Sequence, residues 1–467
     1  MEPIAAFVNA RLDRYVEELS AWVRIPSVSS NPRHASDVVE SAQHLAGALR
    51  SLRAARVEVW QTAGHPAVFA EWQDAPGKPT LLVYGHHDVQ PPDPLGEWTT
   101  PPFDPSVRSG RLWGRGTADD KGQVHIHLKA VEAMRATLGR LPINLKMLIE
   151  GEEEVGSQHL GGLLREHASD LAADVICISD TSMFGPEIPS LCVGLRGLTY
   201  LEVTVDGPGA DLHSGMFGGA LRNPINALAS MIAGLHDADG RVAVPGFYDD
   251  VVSLTDAERQ SIAALPFDEA EWLRSTGAPA PAGERGYSTL ERLWVRPTLD
   301  CCGIWGGFQG EGAKTVLPAR AGAKVSCRLV PNQDPDDIAR KVAATLERFA
   351  PNGVRVRVSV LHGGFPYVAP TDHPVYALAQ RALHRAFGKP AVFMREGGSI
   401  PFVRTISEAT GKPCLLMGFG QPDENAHAPN EWLDLENYRR GILSAAYLYA
   451  EIADMVISPG DGAARSG

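Results

Sequence analysis

Thr80-Leu-Leu-Val-Tyr-Gly-His-His-Asp88 is the stretch on which the fold turns. Its first five residues form a short apolar run, as expected of a strand buried on both faces of a parallel sheet. Side chains able to bind metals and protons follow at once. The same arrangement recurs along the chain. Ile143–Ile149 is followed by Glu150-Gly-Glu-Glu-Glu154, Val175–Ile178 by Ser179-Asp180, and Cys414–Met417 by Gly418-Phe-Gly420 and then His427. Helical periodicity covers Lys121–Leu138 and, near the N-terminus, residues 3–24 and 36–53, with Pro26 and Pro32 breaking the chain between them. Strands alternating with helices predict an α/β fold, a mostly parallel sheet with helices on both faces.

In such a sheet, ligands bind outside the carboxyl ends of the strands. Carboxylates and imidazoles leaving four strands there would converge, and a further acidic pair, Asp119-Asp120, sits in the Gly-rich turn that opens the helix at Lys121. Mutual repulsion opposes such a gathering unless cations neutralise it. A mixed His/Asp/Glu set suits a borderline ion such as zinc better than magnesium, and no thiolate is offered, which argues against a structural zinc site. The pattern predicts a catalytic metal site.

Each element alone has a plainer reading. A His-His pair is commonly a surface or core feature, three glutamates a solvated helix face, and Asp119-Asp120 a helix cap. His125 and His127, two residues apart on a helix, point to different faces and read as structural. Gly312-Ala-Lys-Thr315 is only superficially like a phosphate loop, because Ala313 separates glycine from lysine. There is no HExxH helix and no GxSxG elbow. It is the shared placement at strand ends that favours chemistry.

From about Leu198 the pattern changes. Strand-like Tyr200–Val205, helical Pro224–Leu235, strand-like Thr298–Ile304 and Ala321–Val330, helical Pro335–Phe349 and strand-like Val354–Leu361 give the order β-α-β-β-α-β of a ferredoxin-like unit. The stretch Asp239–Arg296 interrupts it. The reading is a smaller α+β domain, residues 198–367, inserted into a catalytic domain made of residues 1–197 and 368–467. The tail from Ser458 is expected to be disordered.

A chain of 467 residues suits two domains, and 44% hydrophobic with 21% charged residues is a normal globular balance. The net charge of −13 comes without a Lys/Arg run, which excludes a nucleic-acid binder of the usual basic kind. The N-terminus lacks the basic start and apolar stretch of a signal peptide, and no segment approaches a membrane span. Six cysteines without a CxxC pair read as buried thiols, and the expected location is cytoplasmic.

In this order, Tyr84-Gly-His-His-Asp-Val-Gln-Pro91, Gly114-Arg-Gly-Thr-Ala-Asp-Asp-Lys-Gly122, Glu150-Gly-Glu-Glu-Glu-Val-Gly-Ser157, Ile178-Ser-Asp180 and Asn425-Ala-His427 resemble the two-metal metallopeptidase family of aminoacylases, glutamate carboxypeptidases, desuccinylases and dipeptidases. The likeness spans almost the whole chain. Asp211-Leu-His-Ser-Gly-Met-Phe-Gly-Gly219, Cys327-Arg-Leu-Val-Pro331, Arg395-Glu-Gly-Gly-Ser-Ile-Pro401 and the insertion before Thr298 are most similar to the cytosolic non-specific, carnosinase-like dipeptidases.

That resemblance implies two divalent ions per subunit, with zinc favoured and manganese or cobalt as alternatives. Asp119 would bridge them, His86 and Asp180 would complete one site, and Glu154 and His427 the other. Asp88 would orient His86, and Glu153 would be the general base acting on a water between the ions. The inserted domain would serve as lid and dimerisation domain. His213 from the partner subunit of a homodimer would steady the developing oxyanion, and Arg328 and Ser399 would hold the substrate's C-terminal carboxylate. His87 stands where relatives commonly carry an apolar residue, so the residues alone leave open which of His86 and His87 coordinates. The implied activity is hydrolysis of dipeptides or other very short peptides; an N-acyl-amino-acid amidohydrolase or desuccinylase using the same site is the alternative.

Overall fold

The computed structural model describes residues 2–398 and 400–456, so Ser399 and the tail from Ser458 lie outside the described residues. The chain divides into two compact units. The first comprises residues 1–193, 369–394 and 401–467, the second residues 194–368 and 395–400.

In the first unit, strands β1 (Arg56–Trp60), β2 (Ala67–Trp72), β3 (Thr80–His86), β4 (Asn144–Glu150), β5 (Val175–Ile178), β6 (Ser190–Leu195) and, far downstream, β11 (Cys414–Leu416) form a sheet in the order β1-β2-β4-β3-β5-β11-β6. The four central strands β4, β3, β5 and β11 run parallel, and β1, β2 and β6 join antiparallel, so the sheet is mixed but parallel where it matters for the site. The apolar runs that predicted the central strands are buried, from Leu81–Tyr84 to Leu415. Strands β1 and β2 were not foreseen, and their sequences show why. Arg56-Val-Glu-Val-Trp60 carries charges along a half-buried edge strand, and Ala67–Trp72 carries Glu71 opposite Lys146, with Lys146 Nζ 3.9 Å from Glu71 Oε1.

Helix α1 (Lys121–Leu138) is buried on nearly every side over its first three turns, which is why its apolar periodicity is weak; it packs on α4 (Leu435–Ile452). It ends at Gly139, whose φ of 80° lies where a side chain would be strained.

In the second unit, β7 (Gly197–Asp206), β8 (Thr298–Gly306), β9 (Arg320–Leu329) and β10 (Arg355–Gly364) form an antiparallel sheet in the order β8-β9-β7-β10. Helices α2 (Pro224–Ala233) and α3 (Pro335–Phe349) cover one face. Alternation along β7 buries Leu201, Val203 and Val205 against Leu228 and Met231 of α2 and Val342 of α3. The chain order and strand order are those of a ferredoxin-like unit. The interrupting stretch Asp239–Arg296 contains three short helices, 256–263, 269–276 and 289–294.

The six cysteines are not all buried: Cys177, Cys192, Cys327 and Cys414 are, but Cys301 and Cys302 are exposed. They lie on edge strand β8 at its irregularity between Cys301 and Gly303, where the covering that buries Cys327 on central β9 is missing. Among the described residues no helix is long and apolar enough to cross a membrane.

Candidate active site

Because β3, β4, β5 and β11 are parallel, their carboxyl ends share one edge, and the side chains that follow them are delivered to one place. β3 runs through to His86, whose Nε2 lies 3.1 Å from Asp119 Oδ1 and 3.7 Å from Asp180 Oδ1, just beyond β5. The other oxygen of Asp119, Oδ2, is 2.9 Å from Nε2 of His427, and that nitrogen is 3.4 Å from Glu154 Oε2. Two trios result, His86–Asp119–Asp180 and Asp119–Glu154–His427, each with one donor atom per residue lying within 4.8 Å of the others. Asp119 belongs to both.

The donor set fits a pair of divalent cations. It offers two imidazole nitrogens and three carboxylates, running from the buried His86 to the exposed His427, with no thiolate. Without cations the acids bear the cost: burial first, then the neighbouring charge of Asp119, pushes the Glu154 carboxyl well above the ordinary range. Asp180 is pushed up too, chiefly by burial, against the opposing pull of His86. Cations at these donors would relieve that repulsion.

Asp88, fully buried, supports both trios. His86 Nδ1 donates to the Asp88 carbonyl at 3.1 Å and lies 3.3 Å from its carboxylate, while Asp88 Oδ2 accepts from the Glu154 backbone N–H at 3.1 Å. Burial alone would push Asp88 upward, but His86 outweighs it and holds the carboxyl below its usual value.

The three consecutive glutamates part ways. Glu152 turns to His159, with both oxygens 3.0 Å from Nδ1. Glu154 joins the second trio. Glu153 belongs to neither trio; its carboxyl is raised well above the ordinary range by burial, opposed by His86 and reinforced by Asp180, Asp119 and Asp88. His87 faces away from the trios, its Nε2 3.0 Å from the Pro66 carbonyl, and burial lowers its pKa to about 4. Of the two adjacent histidines, His86 is the one among the carboxylates. His125 and His127 are spent on Tyr438, 2.7 Å away, and on Tyr449 and Ser179, each at 2.8 Å.

The remaining candidates belong to the second unit. His213 is exposed on a short ribbon, Leu212–His213 paired with Val316–Leu317, and its Nδ1 accepts from the Gly215 N–H at 3.0 Å. Arg328 on β9 lines a cavity of about 620 Å³ together with Arg196, Asp300 and Ser326. Burial and the charge of Arg328 lower the pKa of Arg196 to about 10.

Known proteins match this combination along the full chain. The model of peptidase family M20/M25/M40 matches residues 82–451. The Cys-Gly metallodipeptidase dug1 of Schizosaccharomyces pombe is 35% identical, covering 95% of this chain and 96% of its own. The chain belongs to the M20/M25/M40 peptidase family. The human Beta-Ala-His dipeptidase is 33% identical over 97% of this chain and 93% of its own. The crystal structure of human carnosine dipeptidase 1 superposes on this M20 peptidase with a TM-score of 0.86 at 33% identity, covering 97% of this chain and 99% of that one.

Two residues of the M20 peptidase's site received no role from the sequence. Asp120, readable as a helix cap, makes no cap bond; its Oδ2 accepts from the His86 backbone N–H at 3.1 Å. Gly85 allows this approach, since a Cβ there would stand 2.6 Å from that oxygen. Gln90 donates to Glu154 Oε2 at 2.7 Å. Both lie within quoted motifs, but an amide or a second aspartate carries no signal for such a bond.

Proposed function

We propose that this M20 peptidase hydrolyses the peptide bond of dipeptides or other very short peptides with a free C-terminal carboxylate. The single observation that carries the reading is the sharing of Asp119 between two donor trios. The names of full-length relatives, which are dipeptidases, support the substrate class.

In this reading His86, Asp119 and Asp180 hold one ion, and Asp119, Glu154 and His427 the other. Zinc is favoured, with manganese or cobalt as alternatives. Bound there, the pair would supply Lewis acidity toward the scissile carbonyl and make a water more acidic. The chain's own residues do the rest. Glu153, beside the ligands but outside both trios, takes the proton of the attacking water and passes it to the leaving amine. Asp88 keeps the His86 ring oriented through Nδ1. Arg328 and Ser399 receive the substrate carboxylate, for which a guanidinium fork is well shaped.

The enzyme acts in this reading as a cytoplasmic homodimer whose inserted domain, residues 198–367, is lid and dimerisation domain. Apolar side chains exposed on and beside the second unit's edge strands, among them Ile304, Trp305, Phe308, Val360 and Leu361, support an interface. His213 of the partner subunit would donate to the oxyanion that develops on the scissile carbonyl.

Two measurements test this. Assayed side by side, unblocked dipeptides such as Ala-Ala should be cleaved and N-acetyl or N-succinyl amino acids should not; turnover of the acylated set alone overturns the assignment. His213→Ala should lower kcat by about 10²–10³-fold without changing metal content or dimerisation. A mixed dimer with Glu153→Gln should regain one working site, and a mixed dimer as inactive as its parents would show that His213 does not act across subunits.

A further inference from the structure

A buried ion pair outside the ligand set ties together the chain segments that carry the ligands. Arg115 and Glu431 are 1% and 0% exposed, and Arg115 Nη1 donates to Glu431 Oε2 at 2.6 Å. Glu431 is spent entirely on the loop leading to Asp119. Its carboxylate accepts the backbone N–H groups of Gly116 at 3.0 Å, Ala118 at 2.9 Å and Asp119 itself at 3.2 Å. In return the Gly114 N–H donates to the Glu431 carbonyl at 2.9 Å. Through Nη2, Arg115 reaches the Ala428 carbonyl at 3.2 Å, beside His427, and the Pro91 carbonyl at 3.3 Å, beside Gln90.

The loop around His427 needs such an anchor. Asn425, His427 and Asn430 have φ of 56°, 62° and 61°, three non-glycine residues in the left-handed region within six positions. That conformation persists only where surrounding bonds over-determine it. Some are local: Asn425 Nδ2 donates to the Asn430 carbonyl at 3.1 Å, and Asn430 bonds Glu97 and Thr99, both at 2.8 Å. None of these refers the loop to Asp119. The Arg115–Glu431 pair does.

Apart from the shared Asp119, the other trio needs no comparable tie. His86 ends β3, and Asp180 follows β5 by two residues. Adjacent strands β3 and β5 are held in register by the ladder from Leu81↔Val175 to Tyr84↔Ile178.

From this asymmetry we propose that Glu431 and Arg115 are positioning residues that set His427 against Asp119, and that they govern the affinity of one of the two ions, the one at Asp119–Glu154–His427. Partners of metal ligands that are not ligands themselves commonly govern affinity in this way. The inference rests on the reading that the two trios hold two ions.

Glu431→Gln keeps an oxygen for the backbone donors but loses the charge facing Arg115. Arg115→Met leaves those donors satisfied and cuts the tie to Ala428. Each variant would be titrated calorimetrically with zinc from the metal-free state and its ion content counted after dialysis at buffered zinc. Both should lose one ion, with affinity lowered about 10–100-fold, while the other ion stays within a few-fold of wild type. Their kcat at low zinc should fall and recover at high zinc, with KM for a dipeptide little changed. Two ions of unchanged affinity, an equal loss of both, or failure of both variants to fold would overturn the proposal and make the pair a purely structural element. Wild type binding fewer than two ions would instead sink the reading on which it rests.

Discussion

Glu153→Gln is expected to remove turnover and nothing else. Loss of general acid–base catalysis is worth about 10²–10⁴-fold in kcat, and ion content should stay at two per subunit. Glutamine matches glutamate in shape and can still accept a hydrogen bond, but it cannot take a proton. Glu153 stands among His86, Asp180, Asp119 and Asp88 closely enough for their charges to move its pKa, yet it belongs to neither donor trio. A base must sit near the ligands without being one, and of the three consecutive glutamates only Glu153 meets that description: Glu152 is committed to His159, and Glu154 is bonded by Gln90 and lies against His427. Steady-state kinetics with metal analysis on the same preparation decides the matter. Undiminished kcat would take Glu153 out of proton transfer; a missing ion would make it a ligand.

What could be read from the sequence divides along a physical line. The central strands were legible because strands buried on both faces must be apolar throughout, and their parallel direction makes whatever follows them converge. Helix Pro335–Phe349 was legible because one face of it is polar; β1 and β2 were not, because an edge position and a Glu71–Lys146 cross-strand pair put charges into strand sequence. Within the site, residues that would meet a metal are chemically conspicuous. The groups that hold them are not: Glu431 follows His427 by four positions in an irregular loop, and only coordinates show that its carboxylate collects three N–H groups from a segment more than three hundred positions earlier. The choice between His86 and His87 likewise needed geometry, since neighbouring residues at a strand end point to opposite sides.

Asp119→Asn should be the most damaging single substitution at the metal centre, and more so than Asp180→Asn or Glu154→Gln. Each of the latter two removes charge from one trio, so each should weaken one ion and spare the other. Asp119 presents Oδ1 toward His86 and Oδ2 toward His427, at 3.1 and 2.9 Å from their Nε2 atoms. An asparagine has one oxygen and one amide nitrogen. Whichever way it turns, one trio faces an NH₂ group, which donates hydrogen bonds and offers no lone pair to a cation, while the other faces an uncharged oxygen in place of half a carboxylate. Both trios are therefore damaged at once. Affinity for both ions should fall by more than the roughly 10–100-fold typical of losing a supporting residue, and kcat should be lost with them. Ion counting by mass spectrometry after dialysis at buffered zinc reads this directly. Retention of two ions at wild-type affinity would mean that Asp119 bridges nothing, and the proposed two-ion centre would then lack the residue that joins its halves.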